Sequence, residues 1–208
     1  MPVRRARGRH GLLVVAAMLA VGVTGCGSGP TAPAAAPPAP ATTVAATPTP
    51  SVPAPLLMAA SVPVRVQIPS IGVDSPLIDL GLQDDGTMQV PAEGFPAGWF
   101  TGAPTPGEQG PAVLAGHVDW GGSPGVFWSL RDVAAGDEIT VSRADGSTAV
   151  FRVTEVGQYS KDAFPTAAVY ADLDHAGLRV ITCGGEFDHA AHSYRDNTVV
   201  FADLVTAA

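Results

Sequence analysis

The sequence predicts an all-β domain, either a closed barrel or a sandwich, whose strands are mostly antiparallel. Short apolar or alternating runs recur between turns rich in Gly, Pro and Asp, and no long window keeps the 3.6-residue period of a helix. Asp145 and Gly146, between two β-rich runs, are typical of a hairpin turn. The eight predicted strands are residues 64–68, 73–77, 88–90, 112–118, 138–142, 149–156, 178–182 and 198–204.

Three short segments between the predicted strands have the composition of helical turns. They are residues 126–130, 163–169 and 173–176. The 148 residues from Ser61 onward are enough for one domain with a sizeable core. We therefore predict a single domain at 61–208.

The first 26 residues have the features of an export signal. Four arginines and no acid occur among the first ten residues, and an apolar stretch of about 12 residues follows. A membrane-spanning helix takes roughly 20 residues, so this stretch is too short for one. It ends in Val-Thr-Gly-Cys at 23–26, which resembles the lipobox of bacterial lipoproteins, in which the cysteine is acylated. We expect a lipid on Cys26 and a location at the outer face of the cell membrane, with simple cleavage or an uncleaved anchor as alternatives.

Residues 27–60 separate this signal from the domain. They consist largely of Pro, Ala, Thr and Ser, a composition that cannot bury a core and that predicts a disordered tether. Without the four arginines of the signal, the sequence contains seven Lys and Arg but 19 Asp and Glu. Such an acidic surface disfavours nucleic acid and anionic lipid headgroups, so we expect neither as a partner and attachment to the membrane only through the lipid.

Cys183 is the only cysteine outside the signal, and it ends a strand-like run at 178–183. An exported protein with one remaining thiol cannot form an internal disulfide. The thiol is therefore a small buried hydrophobe, an intermolecular bridge or a reactive nucleophile. A histidine upstream and an arginine downstream make the nucleophile the hypothesis to test.

Acyl transfer by a thiolate needs a proton donor for the leaving amine, and positive charge or N–H donors beside the developing oxyanion. His117 follows the apolar run 111–116 and is expected at a strand end. Arg195 is expected just before the last strand, and its guanidinium cannot act as a base at any relevant pH. Strand ends on one rim of a barrel can meet in space, so we predict a catalytic trio of His117, Cys183 and Arg195.

The residues around this trio resemble those of the sortases, Gram-positive transpeptidases that attach proteins to the cell wall. The histidine lies in Ala-Gly-His-Val-Asp at 115–119, the cysteine in Val-Ile-Thr-Cys-Gly-Gly at 180–185, and the arginine in Tyr-Arg-Asp-Asn at 194–197. The resemblance extends from residue 64 to residue 202 and is closest to the class F group of actinobacteria. Further segments that resemble this group are residues 68–73, 98–100, 161–165 and 169–170.

This resemblance implies a closed eight-stranded β-barrel with short helical turns and the chemistry of a cysteine transpeptidase. Cys183 would attack the Thr–Gly bond of an LPxTG-type sorting signal on an exported protein and form a thioacyl enzyme. His117 would protonate the departing amine and then activate an incoming amine from a peptidoglycan precursor or a partner protein. Arg195 would hold the substrate and steady the oxyanion.

The resemblance also implies substrate contacts from Thr182, which precedes the nucleophile, and from Phe164 and Tyr170 in a loop that forms one wall of the groove. The wider family often has Thr-Leu-x-Thr-Cys, whereas residues 179–183 are Arg-Val-Ile-Thr-Cys, which keeps the threonine and the cysteine. The chain has no acidic cluster like the calcium sites of some sortases. We therefore expect no metal, no cofactor and a monomeric enzyme.

Other interpretations of the same residues stay open. Glu186, Asp188, His189 and His192 form a local cluster that is either a metal site or a solvated loop, and either histidine is an alternative to His117 as the acid. A transpeptidase that acts on peptidoglycan stem peptides would place its cysteine in Ser-His-Gly-Cys, which is absent here. A non-enzymatic lipoprotein that binds the cell wall would need none of the trio.

Overall fold

Ten β-strands and one α-helix form in the part of the chain that the computed structural model describes, residues 55–208. The strands are β1 (Pro63–Ile68), β2 (Val73–Leu80), β3 (Ala97–Phe100), β4 (Gly110–Ala115), β5 (Asp119–Trp120), β6 (Ser123–Pro124), β7 (Glu138–Arg143), β8 (Thr148–Ser160), β9 (Ala176–Asp188) and β10 (Ser193–Ala207). The helix is α1 (Thr166–Tyr170), and short 3₁₀ turns lie at Pro69–Ile71, Leu130–Asp132 and Lys161–Ala163.

Eight of these strands close into a barrel in the order β1-β2-β3-β4-β9-β10-β8-β7, with β7 paired to β1. The predicted closed eight-stranded barrel is confirmed. Six neighbouring pairs are antiparallel, whereas β2 with β3 and β4 with β9 are parallel. Parallel neighbours need long connections, and the connection from β4 to β9 contains most of the second half of the domain. Strands β5 and β6 form a separate hairpin.

One predicted strand is wrong, and a different segment takes its place in the barrel. Val90 is 59% exposed, and Met88 forms only an isolated bridge with Leu82. The remaining barrel strand is β3, in which the first three of the four residues are buried. A strand buried on both faces lacks the alternating pattern that identifies half-buried strands in a sequence, so the pattern could not find it.

The predicted turns are mostly confirmed. The hairpin between β7 and β8 turns at Gly146, whose φ of 85° lies in the region that favours glycine. Helical turns occur at the end of the predicted segment 126–130 and within 163–169. The third predicted helical turn, 173–176, is wrong, because irregular chain leads directly into β9 at Ala176.

The apolar side chains pack in two layers, one inside the barrel and one on its outer face. Along β9, Leu178 and Val180 belong to the interior core, whereas Ile181 faces outward. The outward residues form a second group, here called the outer cluster, which consists of Val113, Val169, Ile181, Val199 and Phe201. Val169 comes from α1, so the outer cluster holds this helix against β9 and β10. Each fully buried aliphatic side chain contributes about 1.5–3 kcal/mol.

The chain that precedes β1 is fixed along the barrel by specific contacts. The Met58 N–H donates to the Gly107 carbonyl over 2.8 Å, and the Ser61 N–H donates to the Thr105 hydroxyl over 3.1 Å. The buried Arg143 guanidinium donates to the Ala59 carbonyl. No helix within residues 55–208 has the length and apolarity needed to cross a bilayer. The predicted export signal, the lipid site at Cys26 and residues 27–54 of the predicted tether lie outside the described residues.

His175 makes the stability of the fold depend on pH. Its Nδ1 lies 2.8 Å from Asp174 and its Nε2 lies 3.1 Å from Asp203 on β10. The hydrogen bond to Asp174, together with the charge of Asp203, raises the pKa of His175. The folded state therefore binds a proton more tightly than the unfolded chain does. The resulting stabilisation is fully present below the unfolded pKa and is lost as pH rises through the folded pKa.

We expect urea midpoints of the wild type to fall more between about pH 6 and pH 8 than those of His175→Gln. The two proteins share all other titrating groups, so the difference between their midpoints isolates His175. The imidazole is 39% exposed, so solvent screening keeps the effect below about 1 kcal/mol. Equal changes of midpoint in the two proteins would show that the contacts of His175 with Asp174 and Asp203 do not make stability depend on pH.

Candidate active site

The parallel pairing of β4 with β9 brings His117 to Cys183. The register aligns Ala115 with Ile181, and the Gly116 N–H donates to the Ile181 carbonyl over 3.2 Å. His117 and Cys183, each two residues further along its own segment, are therefore neighbours just beyond the end of β4. This pairing joins segments that are 66 residues apart in the sequence.

Thr182 reinforces the same junction. Its hydroxyl donates to the Gly116 carbonyl over 2.8 Å, and the residue is only 4% exposed. The hydrogen bond fixes the backbone immediately before His117 against the backbone immediately before Cys183. Thr182 also lines the cavities on both sides of Cys183, so it is placed to touch a ligand as well as to hold the two strands together.

Cys183 is half-buried and borders a cavity of about 610 Å³ together with His117. This space, here called the main cavity, lies on the outer face of the barrel and is lined largely by apolar side chains. Phe164 and Tyr170 form the wall opposite Ile181, with their ring centroids 6.4 Å apart. The structure therefore brings five of the predicted site residues together around one apolar cleft, namely His117, Phe164, Tyr170, Thr182 and Cys183.

The wall formed by Phe164 and Tyr170 is anchored from below. Val169 of α1 packs in the outer cluster, and the Arg179 guanidinium donates to the Ala168 carbonyl over 3.4 Å. The same guanidinium lies 4.7 Å from the centre of the Phe201 ring, a cation–π contact. Burial lowers the pKa of Arg179 and raises the pKa of the Tyr170 phenol. The phenol therefore stays neutral at physiological pH, as an apolar wall requires.

The imidazole of His117 is oriented by a backbone carbonyl rather than by a carboxylate. Its Nε2 lies 2.8 Å from the Pro91 carbonyl oxygen, which can only accept a hydrogen bond, so Nε2 carries the proton. Nδ1 is the nitrogen left to exchange a proton. The Trp120 ring packs against the imidazole with centroids 4.8 Å apart. Neither Pro91 nor Trp120 was identified from the sequence, because no local pattern links them to His117.

Gly125 packs directly against the backbone of His117. A Cβ at this position would contact the carbonyl oxygen of His117, and it would lie 3.0 Å from the His117 Cβ. The Phe127 N–H donates to the same carbonyl over 2.9 Å. The backbone of His117 therefore rests directly on the segment that follows the β5–β6 hairpin.

Tyr194 is a further polar group beside the cysteine. It borders cavities of about 160 Å³ and 190 Å³, each of which also has Cys183 in its lining. Burial, followed by the charge of Asp119 and a hydrogen bond to it, raises the pKa of its phenol. The hydroxyl therefore keeps its proton at neutral pH. Tyr194 directly precedes Arg195 in the sequence motif.

Arg195 lies within β10 rather than before it, because β9 and β10 continue past the barrel as a hairpin. Its neighbour two residues on, Asn197, is the direct cross-strand partner of Cys183. The guanidinium is 58% exposed and lies 3.5 Å from Glu186 and 3.4 Å from Asp188. It lines a cavity of about 540 Å³ in which neither His117 nor Cys183 takes part.

A second arginine, Arg131, lies near Cys183. Arg131 borders the 160 Å³ cavity with Cys183, and its guanidinium lies 5.9 Å from the centre of the Trp128 ring. Its contact with Asp132 is a loose 3.9 Å. No sequence motif identifies Arg131, since it lies in the 3₁₀ turn Leu130–Asp132, outside the motifs.

The polar cluster at 186–192 is occupied by contacts within the protein. Glu186 and Asp188 pair with Arg195, and the His189 ring packs edge-on against Phe187 with centroids 5.1 Å apart. Within residues 55–208, no three His, Cys, Asp or Glu side chains are arranged to hold a metal ion. His192 borders the 190 Å³ cavity with His117 and Cys183, so it is the histidine of this cluster that lies near the site.

A comparison with protein families gives one decisive match. The family model described as the sortase domain matches residues 66–205. The chain belongs to the sortase family. As a sortase it is a cysteine transpeptidase, an enzyme class that acts on proteins with sorting signals and transfers them to amine acceptors. The alternative of a non-enzymatic cell-wall-binding lipoprotein is therefore wrong.

Solved structures with the same fold are also sortases. Sortase C1 from Streptococcus agalactiae is 19% identical, with a TM-score of 0.54, and the match covers 69% of this chain and 67% of the sortase C1 chain. Sortase A from Corynebacterium diphtheriae is 21% identical, with 71% and 62% covered and a TM-score of 0.54. Sortase C-1 from Actinomyces oris is 21% identical, with 69% and 71% covered and a TM-score of 0.55. At these identities the likeness establishes the sortase barrel. A separate comparison of the sequence with curated proteins found no match.

Proposed function

We propose that this sortase cleaves an LPxTG-type sorting signal between Thr and Gly and transfers the new acyl group to an amine of a peptidoglycan precursor or a partner protein. The observation that carries the proposal is the apolar main cavity, which has Cys183 and His117 together at its edge. An extended apolar peptide fits such a cleft, with its carbonyl at the thiol. The resemblance of the sequence motifs supports membership of the class F group.

The reaction starts when the Cys183 thiolate attacks the threonine carbonyl carbon and the carbonyl oxygen becomes an oxyanion. His117 in its protonated form then donates the Nδ1 proton to the glycine nitrogen as the C–N bond breaks, which leaves a thioester on Cys183. The neutral imidazole next accepts a proton from the incoming amine as that amine attacks the thioester. The thiolate leaves, so the sulfur and the imidazolium return to their starting states.

Arg195 is the proposed partner of the oxyanion and of the substrate backbone. Its ion pairs with Glu186 and Asp188 are exposed, and exposed pairs contribute only about 0–1 kcal/mol. A substrate that offers a carbonyl or an oxyanion beside Asn197 can therefore draw the guanidinium away from the two acids. Phe164 and Tyr170 contact the Leu-Pro part of the signal, and Thr182 contacts the residue at the scissile bond.

The proposal also concerns where the enzyme works. The basic, short apolar leader and the Val-Thr-Gly-Cys segment support export and acylation of Cys26. The enzyme then acts as a monomer at the outer face of the membrane, held there by its lipid. This location would bring it to the exported proteins and cell-wall amines that it uses.

The test is to incubate the full chain with an LPxTG-type peptide and a small primary amine, and to identify the products by mass spectrometry. We expect cleavage after Thr, a transfer product with the amine, and a bell-shaped dependence of kcat/KM on pH, because the reaction requires a thiolate and an imidazolium together. His117→Gln should lose the reaction, whereas His189→Gln and His192→Gln should retain it. A rate that rises continuously into the alkaline range would show that His117 is not the acid.

A further inference from the structure

Lys161 is the only lysine in the 208 residues, and it lines the main cavity beside the catalytic pair. It follows β8 in the 3₁₀ turn Lys161–Ala163, immediately before the wall that Phe164 and Tyr170 form. The side chains around it in the main cavity are apolar or uncharged, apart from His117. No Asp or Glu belongs to the lining. The single lysine of the chain thus borders the cleft proposed for the peptide.

The charge of Lys161 is not matched by a nearby carboxylate. Its Nζ donates to the Ser193 hydroxyl over 2.9 Å, and within residues 55–208 no Asp or Glu lies within ion-pair distance of it. Arg65 and Arg152, in contrast, hold carboxylates at 2.6 and 2.8 Å. Three acids, Asp162, Asp188 and Asp196, border the neighbouring 540 Å³ cavity with Lys161, but none lies within ion-pair distance of its Nζ. In a chain with 19 acids, a cation without a close partner is available to a ligand.

The position of Lys161 fits one residue of the bound signal. β8 is the second strand from β9 in the barrel, so its backbone lies about 10 Å from that of Cys183. The variable position of the LPxTG signal is x, the residue before Thr. Its Cα lies about 4 Å from that of Thr, and an acidic side chain there extends roughly 5 Å further. A carboxylate at the variable position of the signal can therefore reach the ammonium group of Lys161, which directly follows the last residue of β8.

We infer that Lys161 makes this sortase prefer a sorting signal with Asp or Glu at the variable position. The inference rests on the proposed function, because it assigns the peptide to the main cavity. Lys161 is exposed, so an ammonium–carboxylate pair there gives modest discrimination. The preference for Glu over the isosteric Gln is about two- to fivefold in kcat/KM.

The test compares three peptides that differ only at the variable position, Leu-Pro-Glu-Thr-Gly, Leu-Pro-Gln-Thr-Gly and Leu-Pro-Lys-Thr-Gly, with the same flanks and the full-length enzyme. We expect kcat/KM to fall in that order for the wild type. Lys161→Gln should cleave the Glu and Gln peptides equally, and Lys161→Glu should favour the Lys peptide. Arg152→Gln is the matched control. Arg152 lies on β8 and pairs with Glu138 outside the cavity, so the order of the three peptides should equal that of the wild type.

The outcomes separate this inference from the function on which it rests. If the wild type cleaves none of the peptides, the proposed function fails. If it cleaves all three at equal rates, the proposed function stands and the assignment of Lys161 is overturned, as it also is if Lys161→Gln keeps the wild-type order. The wild-type preference should shrink at about 1 M salt, where screening is strong. This measurement needs no variant, so it holds even if Lys161→Gln folds poorly.

Discussion

Replacing Cys183 by Ala will abolish both peptide cleavage and amine transfer. The sulfur forms the covalent intermediate, and no other described residue of the main cavity offers a thiol. Loss of a covalent nucleophile removes the chemical step itself, so we expect kcat to fall by about 10⁴-fold or more, to the background rate. The measurement is product formation from an LPxTG-type peptide, with circular dichroism to show that the barrel is intact. The thiol is half-buried at a cleft edge, so its truncation should cost little stability.

Thiol labelling gives an independent readout of the same group. Cys183 borders three cavities, so an alkylating reagent should reach it in the folded protein and inactivate the enzyme with a matching time course. Cys26→Ser is the control, because it removes the only other cysteine and should leave both labelling of Cys183 and activity unchanged. Cleavage by Cys183→Ala at the wild-type rate would rule out the thioacyl route.

Replacing Phe127 by Ala will cause a large loss of stability. The ring is fully buried in the interior core, and it packs so closely under Gly116 that a Cβ there would lie 2.8 Å from the nearest ring carbon. Removal of a buried aromatic ring typically costs about 3–5 kcal/mol, because the lost contacts add to the cost of the cavity that remains. For a domain of this size the melting temperature should fall by about 10 °C. Calorimetry or urea unfolding measures the change.

The adjacent aromatic residue provides the matched control. Trp128 is 42% exposed and contacts solvent and Arg131 rather than the core. Trp128→Ala should therefore change the free energy of unfolding by less than about 1 kcal/mol. Phe127 also forms the floor of the 160 Å³ cavity at Cys183, and its N–H holds the His117 carbonyl. Activity of Phe127→Ala measured well below its melting temperature should consequently fall too, and equal stability of the two variants would contradict this account of the core.

The sequence predicts the half-buried elements of this fold well, for a physical reason. Strands such as β7 and β8 have one face in the core and one in water, so their residues alternate and the Asp-Gly turn between them is recognisable. β3 is buried on both faces and carries no such pattern, while the apolar run at Met88 belongs to a loop that lines the main cavity. Local patterns report solvent exposure, and they cannot report which strands become neighbours.

The same distinction applies to the site. Cys183 and His117 could be proposed because their chemistry is specific and their motifs resemble those of a family. The parallel pairing that joins them, the Pro91 carbonyl that orients the imidazole and the Tyr194 hydroxyl arise from tertiary contacts with no local signature. The ion pairs of Arg195 also could not be predicted from the sequence. Arg195 pairs with Glu186 and Asp188 because β9 and β10 continue past the barrel as a hairpin.

The pairing of β4 with β9 has a consequence for when the protein becomes an enzyme. The two reacting groups belong to distant parts of the chain, and β9 is followed only by β10 among the barrel strands. A growing chain therefore contains the histidine before it contains the thiol. Non-local strand pairing of this kind is slow compared with helix formation. The two reacting groups can thus meet only after β9 has been synthesised and has paired with β4.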